Sequence, residues 1–215
     1  MYKQADKLLA KLKNLIRREF NRLGVFGFDE LNVPRVTKET TELYNRLTAE
    51  NRQRFLIAAR KAFAHALVLA ATAGYRSGDT TEPNDAWILG FLREYNFLSG
   101  YLYESETERK RLRLAEQMLT AREYQNRTLY NDSLRRSANL WWAQTSLYML
   151  CAVDEATLDA YEQCGVEKVM WNTHIDGREC SVCRERNGKI YTLDKVPQKA
   201  HRNCRCYLTP VPKGK

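Results

Sequence analysis

The chain has 215 residues, with 35 Lys and Arg against 26 Asp and Glu, and carries a net charge of +9. This length can bury a substantial core without help from a metal, and it fits one large domain or two modest ones. The start of the chain does not read as a signal peptide, and the longest apolar run, residues 62–73, is too short to span a bilayer. We therefore expect no leader, no membrane span and synthesis in a reducing cytoplasm.

The basic excess is concentrated near the C-terminus. Residues 168–215 hold 11 Lys and Arg against four acidic residues, whereas residues 1–167 hold 24 against 22. A basic surface favours contact with a polyanion, DNA above all. The alternative is charge that serves only solubility.

The first third of the sequence has the apolar spacing of helices. Leucines and Ile16 recur at helical intervals from Lys3 to Leu23, and Gly24 follows as a stop signal. A linker precedes a helix over residues 37–47. A longer, alanine-rich helix is expected over residues 52–73, closed by a glycine.

The middle of the chain contains one clear loop, residues 75–84, whose last residue, Asn84, can cap a further helix. After a break near residue 100, a long helix is expected over residues 107–151. It is apolar on several faces around Trp141, which indicates burial or a partner surface. A short helix over residues 154–163 completes the helical part.

The pattern changes to that of strands after residue 165. Residues 166–173 are expected to form a strand, and Asn187-Gly188 is a strong turn signal before a second strand over residues 189–193. Residues 204–209 are expected to form the last strand. The sequence thus predicts an α+β fold, mainly α.

Two parts follow from this pattern: a helical body, residues 1–165, and a C-terminal module, residues 166–215. The module is shorter than the roughly 70–80 residues at which a hydrophobic core alone becomes adequate, so we expect a staple, that is, a bound metal ion or disulfides that stabilise it.

Cysteine and histidine concentrate in that module. Cys180 and Cys183 form a Cys-x-x-Cys pair, and His201, Cys204 and Cys206 form a His-x-x-Cys-x-Cys. Zinc is held by four such ligands in a tetrahedron, and a closed site of this kind is structural. We expect one structural Zn²⁺ on Cys180, Cys183, His201 and Cys204, with one of Cys204 and Cys206 spare. Disulfides and unliganded thiols are the alternatives.

His174 and Asp176 precede the first cysteine pair. They form either a polar turn or, in an enzyme, a proton-transfer pair beside a metal. The turn is the preferred interpretation, because a closed site leaves no position for a catalytic water. The alternative is a metal-dependent, nuclease-like enzyme.

A distinctive set of motif residues spans positions 161–210. These are Tyr161, Gly165, Trp171, Asn172, Asp176, Cys180, Cys183, Asn187, Gly188, His201, Cys204, Arg205, Cys206 and Pro210. The stretch resembles the C-terminal domain of phage head morphogenesis proteins, the Mu F-like minor capsid family. It covers about a quarter of the chain.

The resemblance implies a virion protein present in few copies at the portal vertex of a phage head and made in the host cytoplasm. Its work would be head assembly, DNA packaging or DNA ejection, through binding and without enzymatic turnover. Portal protein or major capsid protein would be its partners, bound by the helical body of residues 1–165, with no membrane and no small-molecule substrate. The basic module adds a candidate phosphate-contacting set: Arg178, Arg184, Arg186, Lys189, Arg202 and Arg205.

Overall fold

The computed structural model describes residues 2–25, 27–76, 103–175, 177, 179–200 and 204–214. In these ranges the chain is mainly helical and ends in a small antiparallel sheet. The predicted α+β, mainly α class is confirmed. The helix expected after Asn84 lies outside the described residues.

The first helix, α1 (Tyr2–Val25), follows the predicted spacing. Its buried residues, among them Leu12, Ile16 and Leu23, recur on one face. The helix continues through Gly24, because a single glycine lowers helix stability without stopping a helix whose buried face continues. A 3-10 turn at Phe28–Glu30 follows.

The second helix, α2 (Val33–Thr72), is one continuous element of 40 residues. The sequence predicted two helices with a break near residue 50. No glycine or proline lies between residues 35 and 73, and Leu47, Asn51 and Phe55 continue one buried face at four-residue spacing. The helix is followed by Gly74, which has φ +89°.

By length and composition, α2 is the one described helix that is apolar enough to cross a membrane. The core helix of a soluble protein passes the same test, and Leu43, Phe55 and Phe63 are each at most 1% exposed. The absence of a membrane span stays a prediction.

Two further long helices are α3 (Tyr103–Glu123) and α4 (Arg127–Gln163). The helix predicted over residues 107–151 is interrupted at residues 124–126. Gln125 takes φ +49°, and the Asn126 side chain accepts a hydrogen bond of 2.9 Å from the Leu129 N–H. Asn126 therefore acts as the N-cap of α4, which then absorbs the short helix predicted over residues 154–163.

The chain divides into two compact units, and the helices α1, α2 and α4 each contribute residues to both units. The helical unit comprises Lys7–Arg54 and Leu89–Thr145, and the mixed unit comprises Met1–Asp6, Phe55–Ile88 and Ser146–Lys215. The predicted boundary at residue 165 concerns whether residues 166–215 fold independently of the helical body, and it stays a prediction.

Aromatic side chains make up much of the core of the helical unit. Trp141, 1% exposed, packs edge-on against Tyr44 with ring centroids 4.9 Å apart. Tyr130 packs against Phe28, and its hydroxyl donates a 2.6 Å hydrogen bond to the Leu23 carbonyl. The burial expected around Trp141 is thus accounted for within this unit.

The mixed unit contains a sheet of strand order β2-β1-β3. The strands are β1 (Lys168–Asn172), β2 (Ile190–Thr192) and β3 (Tyr207–Pro210), both neighbours running antiparallel to β1. A short helix, α5 (Ser181–Arg186), lies between β1 and β2 in the sequence. Asn187-Gly188 therefore follows a helix and does not join two strands directly, although β1 and β2 do pair.

Side-chain and backbone hydrogen bonds join the sheet region to the helices of its unit. The Tyr161 hydroxyl donates to the Leu208 carbonyl at 3.1 Å, and the Tyr75 hydroxyl donates to the Val211 carbonyl at 3.0 Å. Both rings are buried. Tyr161 thus links β3 to α4, and Tyr75, three residues after the end of α2, holds the residue that follows β3.

Candidate metal centre

Three buried thiols meet in the mixed unit. The Sγ atoms of Cys183, Cys204 and Cys206 all lie within 4.8 Å of one another, and each residue is at most 3% exposed. We call these three residues the cysteine cluster. Such a cluster can hold a metal ion, because thiolates are strong ligands for soft and borderline metals.

The separation of the sulfurs fits metal coordination better than a covalent bond. Cys183 Sγ and Cys204 Sγ are 3.5 Å apart. A disulfide requires about 2.05 Å, whereas two sulfurs on one tetrahedral zinc are about 3.8 Å apart, given Zn–S bonds of about 2.3 Å. None of the six cysteines, all of which the structure describes, forms a disulfide.

The first half of the site is built by the start of α5. Cys180 is the N-cap of this helix, and its Sγ accepts a 3.3 Å hydrogen bond from the Cys183 N–H. This cap fixes the Cys-x-x-Cys turn and turns Cys183 toward the cluster, where it is 1% exposed. Cys180 is half-buried and lies outside the cluster of three.

The second half comes from the residues that lead into β3. Cys204 and Cys206 are buried on either side of the exposed Arg205, the alternation of an extended segment. Both Sγ atoms therefore reach the cluster, including that of the residue expected to be spare. His201, the other expected ligand, lies outside the described residues, so the fourth ligand stays a prediction.

Thr173, which follows β1, connects the two halves. Its hydroxyl donates to the Cys183 carbonyl at 2.8 Å and lies 3.4 Å from Cys206 Sγ. Its N–H donates to the Asn187 side chain at 2.8 Å. Thr173 thereby orients both cysteine-bearing segments, as residues around metal ligands commonly do.

The pKa values of the three thiols are shifted in different directions. Burial raises the pKa of Cys183. The hydrogen bond between Cys204 and Cys206 raises the pKa of Cys204 and lowers that of Cys206. Cys206 therefore gives up its proton more readily than Cys204, and metal binding would displace the protons of the ligating thiols.

Two cations and an indole ring line the same region. Trp171 on β1 is 2% exposed, with Arg186 5.3 Å and Lys199 5.9 Å from the ring centroid. Arg186 also donates to the Gln198 carbonyl at 2.7 Å. Arg186 thus helps hold the loop after β2 against β1.

Lys199 is the buried charged residue beside the cluster. It is 6% exposed, donates to the Cys206 carbonyl and forms a 3.2 Å ion pair with Asp154 of α4. Sequence reasoning missed both partners, because Lys199 looks like an ordinary charge in a basic loop and Asp154 lies 45 residues upstream. Only the position between two cysteine motifs hinted at a role.

The nuclease-like pair is not assembled within the described residues. His174 is exposed, with its ring 5.8 Å from that of Tyr207, and Asp176 lies outside the described part of the chain. The structure shows no proton-transfer partner for His174 among the residues that it describes.

The candidate phosphate-contacting residues differ in their surroundings. Arg184 pairs with Glu179 at 3.3 Å, and Arg186 is engaged as above. Lys189 and Arg205 are exposed. Arg178 and Arg202 lie outside the described residues, so DNA contact stays a prediction.

No protein-family model, curated protein or solved structure matches this chain. The resemblance to the Mu F-like family therefore remains a prediction from the motif residues alone.

Proposed function

We propose that the cysteine cluster holds one structural Zn²⁺ and that the chain is a minor head protein of a tailed phage, acting by binding and assembly. The observation that carries the zinc part is the convergence of three buried thiols from α5 and from the segment before β3. The fourth ligand would be Cys180 or His201. Thiolate-rich, closed and buried sites are those that zinc occupies as a staple.

The role in the phage head is supported by the motif that suggested it. Several residues of that motif make structural contacts in the mixed unit. Trp171 is buried with two cations near its ring, Cys183 lies in the cysteine cluster, and the Tyr161 hydroxyl donates a hydrogen bond to β3. A module of this kind supports docking and positioning, and a site closed by a fourth protein ligand would offer no open metal position for catalysis.

The metal part is tested by elemental analysis of the purified full-length chain, with zinc supplied during expression. One zinc per chain is expected, and it should resist dialysis but be removed by a strong chelator after acidification. A plasmid-nicking assay on the same sample should show no cleavage. Absence of zinc would refute the staple, and cleavage lost in His174→Ala would favour the nuclease-like alternative.

The phage role is tested in the phage or prophage that encodes the chain. Quantitative mass spectrometry of purified virions should find this protein in a small copy number relative to the major capsid protein. Deletion of its gene should reduce infectious particles, and expression from a plasmid should restore them. Infectious particles in normal yield from the deletion would contradict the proposal.

Contact with DNA is the separable part of the proposal. Charge reversal of the exposed pair, Lys189→Glu with Arg205→Glu, should weaken binding of a duplex oligonucleotide and lower its salt dependence. Lys61→Glu, an exposed lysine on α2, is the matched control. Equal binding by all three proteins, or none at low salt, would remove DNA from the list of partners.

A further inference from the structure

Lys199 occupies an unusual position for a lysine. A charged side chain that is 6% exposed requires a partner, because removal of an unpaired charge from water is costly. Asp154 supplies one at 3.2 Å, and the carbonyl of Cys206 accepts a further hydrogen bond. The ammonium is therefore held between α4 and a residue of the cysteine cluster.

The net charge that the cysteine cluster would carry with a metal bound gives a reason for a buried lysine beside it. A divalent metal with three thiolates has a net charge of −1, and a fourth thiolate from Cys180 would make it −2. A buried negative centre is stabilised by a nearby fixed cation, since Coulomb interactions are weakly screened away from water. Lys199 is the buried lysine that contacts a cluster residue in the described part of the chain.

We propose that Lys199 is a charge-compensating positioning residue of the metal centre, held in place by Asp154. This inference rests on the proposed metal site. Its ammonium offsets the negative charge of the metal-bound thiolates, while its hydrogen bond to the Cys206 carbonyl orients the second cysteine pair. The same residue links metal occupancy to α4, because the partner that orients it belongs to that helix.

A purely structural role predicts something different. If Lys199 served only to neutralise Asp154, replacing both by uncharged residues of similar shape would leave metal affinity unchanged, since well-packed neutral pairs often substitute for buried ion pairs. If Lys199 compensates the thiolates, the double replacement still lacks the cation, and affinity stays low.

The experiment uses the full-length chain and Co²⁺ and Zn²⁺ as probes at one fixed pH. Cobalt binding is followed by thiolate-to-metal charge-transfer absorption, and zinc affinity by competition with a chromogenic chelator. The variants are Lys199→Met, Lys199→Met with Asp154→Asn, and Lys199→Arg, which keeps the charge. Lys195→Met, an exposed lysine of the same loop, is the matched control.

The expected result is a loss of about 10- to 100-fold in metal affinity for both Lys199→Met proteins, the range typical of residues behind metal ligands. Lys199→Arg should lie close to the native protein, and Lys195→Met should match it. Circular dichroism establishes that each variant is folded. Should Lys199→Met unfold because Asp154 loses this ion pair, the double variant, which carries neither charge, still decides the question.

Native affinity in the double variant would overturn the inference while leaving the metal site intact. A native chain that binds neither metal would instead refute the proposed zinc site. The two failures are therefore distinguishable in one titration series.

Discussion

Removal of one cysteine of the cluster, Cys204→Ser, gives the sharpest test of how far the proposed zinc stabilises the fold. Structural zinc sites have apparent binding free energies of roughly 10–16 kcal/mol at neutral pH, as large as the whole stability of a typical domain, roughly 5–15 kcal/mol. Loss of the metal should therefore unfold whatever is cooperative with the cluster.

The division into units indicates how many helical residues would unfold together with the cysteine cluster. The mixed unit contains five residues of α1 (2–6), 18 of α2 (55–72) and 18 of α4 (146–163), which is 41 of the 122 residues in the four long described helices. If the unit unfolds as one, Cys204→Ser should lose about a third of the ellipticity that these helices contribute at 222 nm. If only the sheet region unfolds, the loss should be small.

Zinc content and far-ultraviolet circular dichroism are measured together on the native chain and the variant. Cys164→Ser is the matched control, because Cys164 is a buried cysteine of the same unit outside the cluster. It should keep its zinc and its helical signal. A metal-free Cys204→Ser protein with native circular dichroism and native melting temperature would refute the reasoning.

Three further predictions follow from single contacts. Tyr161→Phe should cost about 1–2 kcal/mol in urea unfolding, because the buried Leu208 carbonyl loses the donor that the hydroxyl supplies; an unchanged midpoint would contradict this. Burial, and then the Asp154 charge, raises the pKa of Glu155 from 4.5 to about 7, so the folded state binds the proton more tightly and loses up to roughly 3 kcal/mol of stability as pH rises through that window. The free energy of unfolding of Glu155→Gln, relative to that of the native chain, should accordingly increase from pH 5 to pH 8. An equal difference between the two proteins at both pH values would argue against this. Trp141→Ala should cost about 3–5 kcal/mol through cavity formation, with zinc content unchanged, since Trp141 belongs to the helical unit; loss of zinc would show that the two units are coupled.

The sequence was informative where local patterns decide the structure. Helical spacing in α1, the alternation around Trp171 and the two cysteine motifs each correspond to an observed element or cluster. These signals are local, because a buried face repeats every three to four residues in a helix and every two in a strand.

Errors arose where tertiary packing outweighed weak local signals. The break predicted near residue 50 is absent because Asn51, a polar residue, is buried and donates to Thr145 at 2.9 Å. Conversely, the break before α4 had a readable signal, since Asn126 is a favourable N-cap residue. The Asp154–Lys199 pair could not be read from the sequence, because no local pattern joins residues so far apart.

The Sγ atoms of Cys183 and Cys204 lie 3.5 Å apart, and this proximity has a consequence for the redox chemistry of the metal-free protein. Disulfide formation requires a thiolate, a second sulfur within reach and an external oxidant that takes up two electrons, and the lowered pKa of Cys206 favours its thiolate. A bound metal occupies the same lone pairs and withholds them from oxidants. A metal bound at this cluster would therefore protect the thiols from oxidation, and a chain whose cysteines were oxidised first would not bind a metal until they were reduced.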